Sequence, residues 1–173
     1  MSLGELAAYV CTHLHENDIH CVLTGGACVS IYTENRYESF DLDFIENMAS
    51  KRKDIMNALS QIGFYEENRY FKHKDSKYFI EFPKGPLAVG QEPVREPNVI
   101  KFNTGQLILL SPTDSVKDRL AAYYHWDDKQ CLDQAIMLAE NHTIDIDEIQ
   151  RWSEQEGKLS EFNFIKEKLL HKK

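Results

Sequence analysis

The chain has 173 residues, 42% of them hydrophobic and 28% charged, which fits one globular unit with its own core and excludes disordered and fibrous classes. Its net charge is −8, with 9 basic and 13 acidic residues in 1–90 and 11 and 15 in 91–173, so bulk electrostatics do not favour a nucleic acid as partner. No apolar run of about 18 residues exists to span a membrane, and the first twenty residues lack a secretory pattern, so the expected location is the cytoplasm.

In chain order, Ser2 to Glu5 reads as a capping box opening a helix. Leu6, Val10 and Leu14 continue it at helical spacing until Asn17-Asp18 ends it. Residues 20–24 form a short apolar strand. Gly25-Gly26 breaks it, and a short helix follows over 27–32. Phe40-Asp41-Leu42-Asp43-Phe44-Ile45 alternates apolar and acidic, which predicts a strand with Phe40, Leu42 and Phe44 turned to a core. Residues 51–62 are helical, with Ile55, Leu59 and Ile62 on one face. Phe64-Tyr65, Tyr70-Phe71 and 77–82 are aromatic-rich strands. A Pro/Gly-rich loop spans 83–97. Residues 99–102 and 106–110 make a hairpin turning at Asn103-Thr104-Gly105. Ser111-Pro112-Thr113-Asp114 then places an N-cap, a proline at N1 and an acid at N3. Helices are expected over about 112–125, 128–141, 145–156 and 160–170. The fold class is α+β: a mixed sheet flanked by helices over 1–110, then a C-terminal helical region over 111–173.

Two stretches bear on chemistry. A strand that ends in Gly25-Gly26 and opens a helix lets backbone approach a ligand, and its free N–H groups suit a phosphate. Asp41 and Asp43, two apart on a strand, face the same side and repel unless a cation lies between them. A hard divalent ion, Mg²⁺ or Mn²⁺, is the usual solution. The plainer readings are a tight turn and a solvated acidic face. On the helix after Pro112, Val116, Leu120 and Tyr124 form the core stripe. Lys117 beside it is placed to reach a triphosphate, and Arg119, further round, is expected in water or paired with an acid. Lys84, after Pro83, is a weaker phosphate candidate. The run Tyr123-Tyr124-His125-Trp126 reads as packing between helices. Cys11, Cys21, Cys28 and Cys131 show no CxxC spacing and read as reduced, buried thiols. Cys28 at a helix start is a minor candidate nucleophile, with no histidine partner to name.

A Gly-Gly turn followed some fifteen residues later by an Asp-x-Asp strand resembles the nucleotidyltransferase superfamily of polymerase-beta-like fold. In size and helical tail the chain is similar to its minimal and abortive-infection-type prokaryotic members. The segment 111–122 resembles their helix with a functional lysine. Asp127-Asp128-Lys129-Gln130-Cys131-Leu132-Asp133 is a loose variant of their Arg-Asp-x-x-Asp helix. The resemblance implies a nucleotidyltransferase-like sheet with Asp41, Asp43 and Glu81 as metal-holding catalytic acids, Glu81 standing where aspartate is common. It further implies nucleotide contacts from Thr24, Gly25, Gly26, Ser39 and Lys117. The activity it implies moves a nucleoside monophosphate from a nucleoside triphosphate to an acceptor hydroxyl on an RNA end, a protein side chain or a small molecule. The alternative is a regulatory module of the same fold, half of a toxin–antitoxin pair, with the other half as protein partner.

Overall fold

The computed structural model describes residues 1–170. Helix α1 (Leu3–Glu16) opens on the predicted capping box: Glu5 N–H donates to Ser2 Oγ at 3.2 Å, and Ser2 N–H donates to the Glu5 carboxylate at 2.7 Å. Strand β1 (Cys21–Thr24) runs into α2 (Gly26–Tyr32), followed by β2 (Asp41–Glu46) and α3 (Arg52–Ser60). Three short strands come next: β3 (Tyr65–Glu67), β4 (Tyr70–Lys72) and β5 (Phe79–Glu81). A small hairpin of β6 (Ala88–Val89) and β7 (Glu92–Pro93) precedes the longer hairpin of β8 (Asn98–Phe102) and β9 (Gly105–Leu109). Four helices complete the described chain: α4 (Pro112–Trp126), α5 (Lys129–Asn141), α6 (Ile146–Gln155) and α7 (Leu159–Leu170).

Seven strands form one mixed sheet in the order β3-β4-β5-β2-β1-β9-β8. β2 lies between β1, antiparallel to it, and β5, parallel to it. Register and alternation sort the side chains into two faces. Leu23, Leu42, Phe44, Ile80 and Phe71 share one face and are fully buried. Arg52 of α3 lies over the Phe71 ring on that side, 4.6 Å from its centroid. The other face holds Thr24, Asp41, Asp43, Phe79, Glu81 and Tyr70.

One core runs from the sheet into the helical tail. The predicted stripe Val116, Leu120 and Tyr124 is buried. Tyr124 stacks on Trp152 at 5.9 Å and bonds Ser153 through its hydroxyl at 2.8 Å. Trp152 Nε1 donates to the Val89 carbonyl at 3.1 Å, which ties the β6–β7 hairpin to α6. Tyr32 donates to the Leu110 carbonyl at 2.6 Å, joining α2 to the end of the sheet.

Four details differ from the sequence expectations. The Pro-rich loop contains the β6–β7 hairpin, whose two-residue strands are too short to show a period. The β8–β9 turn uses only Asn103 and Thr104, because Gly105 pairs with Phe102. Phe40 precedes the strand and is 47% exposed, stacked on Tyr78 rather than in the core. Trp126 ends α4 where Asp127 turns left-handed, and it is 82% exposed rather than packed between helices.

Candidate active site

The parallel register of β2 and β5 sets Asp43 opposite Glu81 and Asp41 opposite Phe79. Three acids therefore meet on one face, and one carboxylate oxygen from each lies within 4.8 Å of the others. The antiparallel register of β1 and β2 sets Thr24 opposite Asp43, and Thr24 Oγ1 donates to the Asp43 carbonyl at 3.1 Å. Gly25 follows with φ 73° and ψ −155°, a conformation that glycine alone adopts readily. A Cβ there would lie 2.8 Å from Asp43 Oδ2, so the carboxylate rests against bare backbone. At Gly26 a Cβ would meet the Tyr37 ring at 3.2 Å. The N-cap residue of α2, Gly25, gives it no side-chain cap.

Hydrogen bonds hold Asp41. Ser39 Oγ lies 3.0 Å from Asp41 Oδ1 and 3.1 Å from its carbonyl oxygen, so one proton serves two acceptors. Ser39 N–H donates to Ser30 Oγ at 2.8 Å, and Ser30 donates on to the Tyr37 carbonyl at 2.7 Å. Asp43 is less well satisfied, since its Oδ1 is buried with no hydrogen-bond partner among the described residues. Burial, then the charges of Asp41 and Glu81, push its carboxyl up to about 7, against the pull of Arg119. Glu81 Oε1 forms an ion pair with Arg69 Nε at 3.1 Å.

Each of the predicted site residues Thr24, Gly25, Gly26, Ser39, Asp41, Asp43 and Glu81 lies in this cluster or touches it. Lys117 stands elsewhere. Its ammonium pairs with Glu148 at 2.8 Å and Asp114 at 3.5 Å, and the residue is 6% exposed. It lines a cavity of about 760 Å³ among residues 92–96, the start of α4 and α6, and none of the three acids lines that cavity. Arg119 is the α4 cation whose charge reaches Asp43, and it pairs with Asp118 at 2.7 Å, as expected of an acid partner. Its Nη1 also donates to Gln134 Oε1 at 3.3 Å. Lys117 and Arg119 flank the buried stripe on opposite sides, because two residues turn a helix by about 200°. Both flanks look alike in sequence, and the packing of α4 on α2 chose between them. Tyr37 and Arg69 gave no sequence signal: one lies in a turn region, the other at a hairpin tip. Lys84 is exposed in its loop. Cys28 is no nucleophile, since burial pushes its thiol up to about 12 and it donates to the Leu23 carbonyl at 3.2 Å.

The acid cluster fits a hard divalent ion on two grounds. Three carboxylates supply the oxygen donors such ions take, and the orphaned Asp43 Oδ1 is a buried acceptor that a cation would satisfy. No family model matches the chain, and no curated protein matches it in sequence. In structure it is similar to an antigenic nucleotidyltransferase-like protein from Paracoccidioides brasiliensis, with a TM-score of 0.62 at 12% identity over 98% of this chain and 93% of that one. The fold is thus nucleotidyltransferase-like, a mixed sheet flanked by helices with further helices at the C-terminal end. No described helix is long and apolar enough to cross a membrane.

Proposed function

We propose that the chain is a metal-dependent nucleotidyltransferase that moves a nucleoside monophosphate from a nucleoside triphosphate to an acceptor hydroxyl, releasing pyrophosphate. The observation that supports this most is the meeting of Asp41, Asp43 and Glu81 within 4.8 Å beside Gly25. A single-purpose salt bridge would not need three acids, and an ordinary strand would not press a buried, unpartnered carboxylate against a glycine.

Asp41 and Asp43 would hold Mg²⁺ or Mn²⁺, with Glu81 completing the donor set. A bound divalent ion supplies positive charge for the triphosphate oxygens and the departing pyrophosphate. The chain's own residues do the positioning. Ser39 fixes the Asp41 carboxylate, and Thr24 fixes the β2 backbone at Asp43. Gly25 and Gly26 let the Asp43 carboxylate and the Tyr37 ring lie against bare backbone where α2 begins. Glu81, partly open to solvent, takes the proton of the attacking hydroxyl. Arg119, held by Asp118 and Gln134, places a fixed positive charge on the acid side of α4, the role expected of Lys117. The acceptor is an RNA end, a protein side chain or a small molecule, with RNA disfavoured by the net charge of −8.

The test is calorimetric titration of non-hydrolysable analogues of the four nucleoside triphosphates, with and without Mg²⁺. Binding that requires Mg²⁺ and vanishes in Asp41→Ala/Asp43→Ala supports the reading. Folded protein that binds none of the four overturns it and favours a regulatory module, for example half of a toxin–antitoxin pair.

A further inference from the structure

Arg69 is the second residue of the two-residue turn between β3 and β4, preceded by Asn68 with φ 59°. From that tip its side chain runs back over the sheet. The guanidinium lies 5.0 Å from the Tyr70 ring centroid, and Nη2 donates to the Tyr70 hydroxyl at 2.7 Å. Tyr70 is directly across from Glu81, so this path leads to the acid cluster. There Nε meets Glu81 Oε1 at 3.1 Å. The side chain is 71% exposed, and one carboxylate oxygen is its contact with the cluster.

Exposed pairs of this kind are weak and exchangeable. Moving Arg69 would disturb a hairpin tip and leave the buried face behind it untouched. Yet the pair engages one of the acids whose oxygens a divalent ion would share. A hard ion with two charges and a preference for carboxylate oxygen outcompetes a single exposed guanidinium there. Without an ion, three acids within 4.8 Å repel one another, and a nearby guanidinium relieves that repulsion.

We propose that Arg69 is a resident counter-cation of Glu81 that the metal displaces, and so a positioning residue that sets the affinity of the site for its metal. The proposal rests on the metal-dependent reading above. Its consequence is a built-in competition: the acids stay held together without metal, and loading the ion frees a guanidinium at the rim of the site.

The experiment is titration of the full chain with MnCl₂ alone, with no nucleotide, for wild type, Arg69→Ala and Lys72→Ala. Lys72 shares the face of Tyr70 on β4 and pairs with Glu67 at 2.8 Å, so it controls for loss of a nearby charge. Arg69→Ala is expected to bind Mn²⁺ about threefold to fivefold more tightly, the scale of an exposed ion pair. Lys72→Ala is expected to match wild type. In parallel, the Arg69 Nε resonance of ¹⁵N-labelled wild type should move on adding Mg²⁺ toward the position it takes in metal-free Glu81→Gln. Equal affinities in all three proteins, or an Arg69 Nε resonance unmoved at saturating Mg²⁺, overturn the displacement while leaving metal binding intact. Folded proteins that bind no Mn²⁺ at all overturn the metal reading and this inference with it.

Discussion

At Asp43 two requirements conflict. The carboxylate is packed against Gly25 and beside two other acids, one oxygen buried without a partner, and its pKa stands near 7. An acid whose folded pKa lies above its unfolded value of about 4 binds more protons when folded. Stability of the metal-free protein should therefore fall as pH rises from about 4 to about 7, and level off above. Asp43→Asn removes that ionisation. It should raise the melting temperature of metal-free protein at pH 8, by an effect on the order of 2 kcal/mol, and abolish any rise on adding Mg²⁺. A variant that melts below wild type at pH 8 would contradict this account. Gly25→Ala tests the same contact from the other side. The backbone conformation there costs a non-glycine residue on the order of 1–3 kcal/mol, and the new Cβ would displace Asp43 Oδ2. Reduced thermal stability together with lost Mg²⁺-dependent nucleotide binding is the expected result, and a variant that binds normally would show that the close approach is incidental.

Helix α4 separates two kinds of charged residue. On one side Lys117 joins Asp114, Glu148, Arg151 and Glu92 in a connected set of ion pairs. On the other, Arg119 pairs with Asp118, and its charge draws the Asp43 carboxyl down while that of Asp118 pushes it up. The two cations should then fail differently. Lys117→Ala leaves Glu148 paired with Arg151 alone and should cost about 1 kcal/mol in chemical denaturation, with nucleotide affinity held. Arg119→Ala should weaken nucleotide binding by about tenfold, the worth of a charge-assisted hydrogen bond. If calorimetry gave the reverse pattern, the acid side of α4 would be wrongly assigned. Glu148 also sets a lower pH limit. Arg151, with Lys117, holds its carboxyl down at about 2, so its stabilisation is present above about 4.5 and is lost as pH falls through 2.

Across the whole molecule the sheet and the helical tail share one core. α2 sits on β1 and β2 and is itself covered by α4 and α5. Residues 1–110 alone would expose that apolar face of α2 and leave Tyr32 without the rest of its cover. They should fail to fold, giving a poorly dispersed amide spectrum, whereas the full chain should melt in one cooperative transition. A folded 1–110 fragment would mean that the division at Leu110 marks two separable units.

The elements were legible because their signals are local. Ser2 and Glu5 cap α1 through bonds three residues apart, and Ser111-Pro112 starts α4 in the same way. The alternation of Asp41 and Asp43 fixed their common face through the period of a strand. Phe40 and Trp126 were misplaced because each lies at an element's end, where periodicity stops predicting direction. The β6–β7 hairpin left no pattern, since its hold is Trp152, 63 residues away.

The amino-acid sequence by itself determined the order of helices and strands, the paired aspartates and the glycine turn before them, because spacing along the chain decides which side chains share a face. Only the tertiary structure decided that Glu81 stands beside Asp43, that the charge of Arg119 rather than that of Lys117 reaches Asp43, and that Arg69 pairs with Glu81. Those pairings depend on strand order, on parallel register and on which side of α4 packs inward. Each is set by burial of apolar surface between segments far apart in the chain.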